Sequence, residues 1–139
     1  MYLHKGIEKV GNLNANNRLY LLDLDHTLIL GSYSKLETAE LLFQYDRYLS
    51  IYLRPYAREL VSAISQTGTV IVFTTAKRDY AIKICKALSI NYTELLSRKH
   101  CKKTNSGYLK EIRDKWRTSF DQIVVIDDSP NVWRNYKEI

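Results

Sequence analysis

Three short apolar runs punctuate the chain: Leu19-Tyr20-Leu21-Leu22, Val70-Ile71-Val72-Phe73 and Ile123-Val124-Val125-Ile126. Each is continuously apolar rather than alternating, as expected of strands covered on both faces in a parallel sheet. Between them the period becomes helical. Pro55 suits a first helical turn, where its missing N–H costs nothing. Tyr56, Leu60 and Ile64 then recur every four residues until Gly68 ends the pattern. Ala81, Ile84, Cys85 and Leu88 follow i, i+3, i+4, i+7 spacing, which sends Cys85 to the core. Leu109, Ile112 and Trp116 predict a third helical stripe, with Ser106 as a cap and Lys110 off the buried line. Strands alternating with helices predict an α/β fold, a three-layer sandwich on a central parallel sheet with right-handed crossovers.

Each apolar run ends in polar chemistry: Asp23 after the first, Thr74 and Thr75 after the second, Asp127 and Asp128 after the third. Open parallel sheets bind ligands outside the carboxyl ends of their strands, so these groups are expected to meet in one crevice. Residues two apart on a strand share a face, which lets Asp25 join Asp23 if the extended backbone persists. One aspartate after a strand is most often a cap or a turn; three strands ending this way point to a site. Four carboxylates in one crevice repel strongly. A hard cation such as Mg²⁺ relieves that repulsion and keeps positions for water and phosphate. Phosphoryl chemistry also needs positive charge on the other oxygens. Lys110 is the leading candidate, although a helical lysine taken alone is more often solvated. Thr27, Thr75, Lys77 and Arg78 are candidates for gripping substrate.

Composition narrows this picture without redirecting it. The 139 residues suggest one domain, and 45% hydrophobic with 26% charged residues is a globular balance. No apolar run approaches the roughly 18 residues that span a membrane, and the start of the chain lacks a signal-peptide pattern, so cytosol or nucleus is the expected location. Net charge is +6, which favours anionic partners: phosphoproteins, nucleic acid or phosphorylated metabolites. Cys85 and Cys101 have no ligand spacing between them, and His100-Cys101 alone is a poor zinc site. Tyr45, Tyr48, Tyr52 and Tyr56, among eleven tyrosines, suggest ordinary packing with wet hydroxyls or a recognition surface.

The ordered motifs resemble the haloacid-dehalogenase superfamily of phosphohydrolases. Asp23-Leu24-Asp25-His26-Thr27-Leu28 is similar to its first motif, Val72-Phe73-Thr74 to the second, Lys110 to the third and Ile126-Asp127-Asp128 to the fourth. Within that group the chain looks most like the phosphatases of the RNA polymerase II C-terminal domain and their small relatives. Arg54-Pro55, Phe73-Thr74 followed by Tyr80-Ala81, Tyr108-Leu109-Lys110-Glu111 and Asp127-Asp128-Ser129-Pro130-Asn131-Val132-Trp133 carry this narrower likeness. His26 stands where those phosphatases often carry glutamate. The resemblance implies Asp23 as nucleophile, Asp25 as general acid and base, and Thr74 and Lys110 on the phosphoryl oxygens. It further implies Mg²⁺ on the Asp23 carboxylate, the Asp25 carbonyl and Asp128, with Asp127 either a ligand or an orienting group. A chain of this size leaves no room for a large cap, so residues 31–53 must supply the flap.

Three functions follow as expectations. The first is a phosphatase of phosphoserine and phosphothreonine in proteins, served by a shallow capless cleft. The second is a phosphatase of nucleic-acid ends or small phosphorylated metabolites, which the basic balance fits although no stacking platform is evident. The third is a catalytically silent binding module on the same fold, against which the retained Asp23, Asp25, Thr74, Lys110 and Asp128 argue.

Overall fold

The three apolar runs form strands buried on both faces, and the helical stretches cover them. The computed structural model describes residues 2–5 and 17–134. Strand β1 (Tyr2–Lys5) precedes β2 (Arg18–Leu22), then three short strands, β3 (Ile29–Ser32), β4 (Glu40–Gln44) and β5 (Ser50–Leu53). Helix α1 (Ala57–Thr67) leads to β6 (Thr69–Phe73), and helix α2 (Arg78–Ala87) to β7 (Glu94–Leu96). A hairpin of β8 (Lys102–Thr104) and β9 (Gly107–Leu109) follows, then helix α3 (Asp114–Ser119) and β10 (Gln122–Asp127).

The main sheet has the order β1-β10-β2-β6-β7. β1 is antiparallel to β10; all other pairs are parallel. Side chains alternate across the sheet with period two. Tyr20, Leu22, Val70, Val72, Val124 and Ile126 join the core under α1 and α2. Leu19, Leu21, Ile71, Phe73, Ile123 and Val125 join a second core with Trp116 and Trp133. Two covered faces explain why the runs are continuously apolar, and they make the three layers expected. Cys85 lies in the first core, where burial pushes its thiol up to about 12. Among the described residues no helix is long and apolar enough to cross a membrane.

The interval after the first motif folds as a separate antiparallel sheet, β3-β5-β4. It spans residues 29–53, close to the expected flap, and the Arg54 N–H donates to the Leu28 carbonyl where it rejoins the main domain (3.0 Å).

Two helical expectations are corrected. Helix α1 buries Ala57, Val61 and Ile64; Tyr56 instead stands outside, 81% exposed, with a left-handed φ of 65° before the first turn. Ile64 is buried as expected and Leu60 packs at the edge of the same core, while Ala57 and Val61 take the central places. The stripe over Leu109, Ile112 and Trp116 is not one helix. Leu109 ends β9 opposite Lys102, and α3 begins only at Asp114. Asn105-Ser106-Gly107 makes a turn, with Gly107 at φ 135°, a region open chiefly to glycine. Turn chemistry therefore overrode the spacing, and Lys110 leaves a hairpin rather than a helix.

Gly68 ends α1 for a steric reason: a Cβ there would lie 2.5 Å from the Arg18 carbonyl oxygen and 2.9 Å from the Tyr20 ring. Gly68→Ala is therefore expected to cost about 1–3 kcal/mol in urea unfolding, with the denaturant slope unchanged, through forced shifts between α1 and β2.

Candidate active site

The site grows out of the carboxyl ends of β10, β2 and β6, three neighbouring parallel strands. The Asp23 N–H donates to the Ile126 carbonyl (2.9 Å), and the Thr74 N–H to the Leu96 carbonyl (2.9 Å). Both residues thus continue the ladders of their strands and are held by backbone before any side chain acts. Asp127 is the last residue of β10.

After Asp23 the chain folds tightly on itself. Leu24 is fully buried, His26 takes a left-handed φ of 63°, and the Leu28 N–H closes the turn onto the Leu24 carbonyl (2.8 Å). Histidine is among the non-glycine residues that tolerate this region. The turn brings Thr27 back over Asp23. Its hydroxyl donates to Asp23 Oδ2 (2.9 Å) and accepts from the Asp128 N–H (3.1 Å). Thr27 is buried and its hydroxyl is occupied, so it positions two acids instead of facing substrate as expected.

Lys110 is 1% exposed, and its ammonium lies 2.6 Å from Asp127 Oδ2 and 3.2 Å from Asp23 Oδ1. It also stands over the rings of Trp133 (5.5 Å) and Phe73 (5.8 Å), an arrangement in which aromatic faces favour a cation. A parallel bridge to Trp133 carries it there: the Lys110 N–H donates to the Val132 carbonyl (2.6 Å) and the Arg134 N–H to the Lys110 carbonyl (2.8 Å). Burial alone would discharge the lysine, but Asp23 and Asp127 outweigh it and hold its pKa above the usual value. Burial pushes the Asp23 carboxyl up to about 7 against the pull of the Lys110 ammonium.

Asp127 and Asp128 differ in how far they are committed. One oxygen of Asp127 accepts from the Ser129 N–H (2.9 Å); the other takes Lys110 and the Trp133 indole N–H (3.0 Å). The Asp128 carboxylate meets that of Asp23, and this side-chain contact adds to the rise in the Asp23 pKa. Asp23, Asp127 and Asp128 each offer an oxygen within 4.8 Å of the others. Three carboxylates against one ammonium leave an excess of negative charge, which suits a hard divalent cation.

Asp25 is only partly buried. Its Oδ1 accepts from the Tyr80 hydroxyl (2.7 Å), and burial raises its pKa. Tyr80 packs edge-on against Tyr45 of the small sheet (5.1 Å). The Thr74 hydroxyl accepts from the Ala76 N–H (3.0 Å) and donates to no acceptor among the described residues. Thr75 is half-buried beside it, and its carbonyl is held by Arg98 (2.9 Å). Lys77 and Arg78 are exposed and line a neighbouring groove instead of the acidic cluster.

Tyr80 and Trp133 had no role legible in the sequence. Their signals were weak: an aromatic six residues after Asp127, and a tyrosine in the first turn of α2, where its partner lies 55 positions away. Removing Lys110 strands two buried carboxylates. Lys110→Met is expected to lower stability by about 3–5 kcal/mol in denaturant unfolding.

Residues 19–138 match the model of the NLI interacting factor-like phosphatase family. CTD small phosphatase-like protein 3 of Caenorhabditis elegans is 32% identical over 102 residues, covering 66% of this chain and 35% of the relative. An RNA polymerase II C-terminal domain phosphatase of Encephalitozoon cuniculi is 31% identical over 136 residues, covering 94% of this chain and 32% of the relative. The chain thus spans about a third of the length of these two curated relatives. A solved structure of Fcp1, an RNA polymerase II CTD phosphatase, superposes with a TM-score of 0.61 at 21% identity, over 86% of this chain and 39% of that one. At that identity the likeness concerns the fold, the haloacid-dehalogenase-like sandwich that the motifs led us to expect. The family match begins in the strand behind Asp23 and ends beyond Trp133, so it takes in every group of the site, and the chain belongs to the NLI interacting factor-like phosphatase family.

Proposed function

We propose that the protein hydrolyses phosphoserine and phosphothreonine esters in proteins, through an aspartyl-phosphate on Asp23. The observation that carries this reading is the state of Asp23. It is a buried carboxylate fixed by Thr27 and Lys110, at strand ends that also carry Thr74, whose hydroxyl accepts from the Ala76 N–H, and with an acid, Asp25, on the same turn. The relatives named above as CTD phosphatases support a protein substrate. So does the small sheet, on which Tyr33, Leu41 and Tyr48 are exposed in an open cavity of about 880 Å³. An open face of this kind admits a chain segment more readily than it encloses a metabolite.

The acidic cluster fits Mg²⁺, held by Asp23, Asp128 and the Asp25 carbonyl. Asp127, whose two oxygens are already engaged, orients Lys110. When bound, the cation offsets the carboxylate charge and that of the phosphate. The chain's own groups do the rest. An Asp23 oxygen attacks phosphorus, and the bond from phosphorus to the serine or threonine oxygen breaks. Asp25 gives that leaving oxygen its proton; burial favours the protonated acid, and Tyr80 steers the carboxyl through Oδ1. In the second step a water attacks phosphorus and Asp25 accepts its proton. The bond to Asp23 breaks, releasing inorganic phosphate and the carboxylate. Lysine has three donors; two are spent on Asp127 and Asp23, which leaves one of Lys110 for a phosphoryl oxygen. Thr74 supplies a second contact.

The test is a panel of phosphopeptides, nucleotides, 5′-phosphorylated oligonucleotides and sugar phosphates, with p-nitrophenyl phosphate as a generic ester. Phosphopeptides are expected to turn over, and Asp23→Asn to reduce every rate to background. Turnover of small phosphates but of no phosphopeptide would sink the protein-substrate reading. A beryllofluoride adduct on any residue but Asp23 would overturn the assignment of the nucleophile.

Proton and cation compete for Asp23. Its raised pKa means that protonation sets in as pH falls toward 7, and the carboxylate is free above that. The Mg²⁺ concentration for half-maximal rate is therefore expected to rise as pH drops from about 8 to about 6. A metal titration at both pH values checks this; a constant midpoint would contradict it.

A further inference from the structure

One groove beside the site concentrates positive charge without answering carboxylates. It holds about 430 Å³ and is lined by Lys77, Arg78, Arg98, Lys99 and Lys103 around the Tyr108 ring. None of these five cations forms an ion pair with a described residue. Elsewhere Arg58, Arg113 and Arg134 are each neutralised by a glutamate. No acidic residue lines the groove; Asp79 lies next to Arg78 on α2 but does not contribute to the wall. Five cations with no carboxylate in the wall make this a strongly basic patch on a chain whose net charge is +6.

The groove is organised. Arg98 donates through Nε to the Thr75 carbonyl (2.9 Å), and its guanidinium lies 5.0 Å from the Tyr108 ring centroid. Those two contacts fix the plane of the side chain and leave its terminal nitrogens free for a planar or tetrahedral anion. The Arg98 N–H holds the Ala76 carbonyl (2.8 Å), and Cys101 donates its thiol to the Thr74 carbonyl (3.6 Å). The groove wall is thus bolted to the loop that presents Thr74. Lys77 follows Thr74 by three residues, so the two lie at most about 11 Å apart.

We infer that this groove is a second anion site, which takes a phosphorylated side chain two or three residues from the ester being cleaved. The preferred substrate is then a peptide carrying at least two phosphates. This rests on the protein-phosphatase reading above and adds to it a clustered substrate class. A peptide residue two or three positions away is displaced by roughly 7–10 Å, which falls within the reach that three residues of chain set between Thr74 and Lys77. Phosphate, with charge near −2 and several acceptor oxygens, gains more from such a cluster than a single carboxylate does.

The experiment measures binding by fluorescence anisotropy in EDTA. One labelled serine peptide is used in four forms: unphosphorylated, phosphorylated at a central serine, phosphorylated at a flanking serine three residues away, and phosphorylated at both. The doubly phosphorylated form is expected to bind about tenfold tighter than the centrally phosphorylated one. In the charge-reversed variant Lys99→Glu/Lys103→Glu that ratio is expected to fall to about one, with the thermal midpoint unchanged because both side chains are exposed. Equal affinity for the singly and doubly phosphorylated peptides, or a ratio that survives charge reversal, overturns the inference. So does tighter binding of a single-stranded oligonucleotide of matched charge, which would make the groove a nucleic-acid surface. Hydrolysis of the centrally phosphorylated peptide with Mg²⁺ reads the catalytic site separately, so loss of one reading is not mistaken for loss of the other.

Discussion

The site depends on one buried cation. The Lys110 ammonium is enclosed by Asp23, Asp127 and two aromatic rings, and removing it would leave charge that nothing else among the described residues answers. A buried ion pair is a weak source of stability, because desolvation consumes much of the attraction. Its value here is positional. Asp127 cannot turn without breaking contacts to Lys110, Trp133 and the Ser129 amide, and Asp23 is held between Lys110 and Thr27. The acids arrive already aligned, so the chemistry need not wait for them to reorganise.

That lock also separates two adjacent aspartates that look equivalent in the sequence. Asp127, at the end of β10, points into the hydrogen-bonded interior. Asp128 offers its amide to Thr27 and turns its carboxylate toward Asp23. One residue of advance along an extended chain reverses the side of the sheet a side chain faces, and here that reversal separates a fully hydrogen-bonded carboxylate from one that is not.

The fold was legible because each apolar run is short, continuous and buried on two faces, a pattern that leaves little choice of architecture. The acids at the strand ends were legible for the same reason: strand direction fixes where they emerge. Lys110 was expected on the phosphoryl oxygens and from a helix; it lies against Asp23 and Asp127 and leaves a hairpin, since Leu109, Ile112 and Trp116 imitate a helix while the Asn105-Ser106-Gly107 turn forces the chain back. Tyr56 failed for a local reason, its left-handed backbone ahead of α1. Thr27, Tyr80 and Trp133 were beyond reach in another sense. Thr27 and Tyr80 act on Asp128 and Asp25, 101 and 55 positions away, and Trp133 on Asp127 through a turn six residues long, none of which a periodicity encodes.

The separation of 87 positions between Lys110 and Asp23 bears on how the protein is made. Synthesis runs from the N-terminus, so the strand bearing Asp23, the Thr74 loop and helices α1 and α2 leave the ribosome well before the hairpin and β10. Long-range parallel pairing is slow to form, and an unpaired strand edge invites association with other chains. Until the hairpin and β10 have been made, one edge of β2 is unpaired and the Asp23 carboxylate is without its lysine.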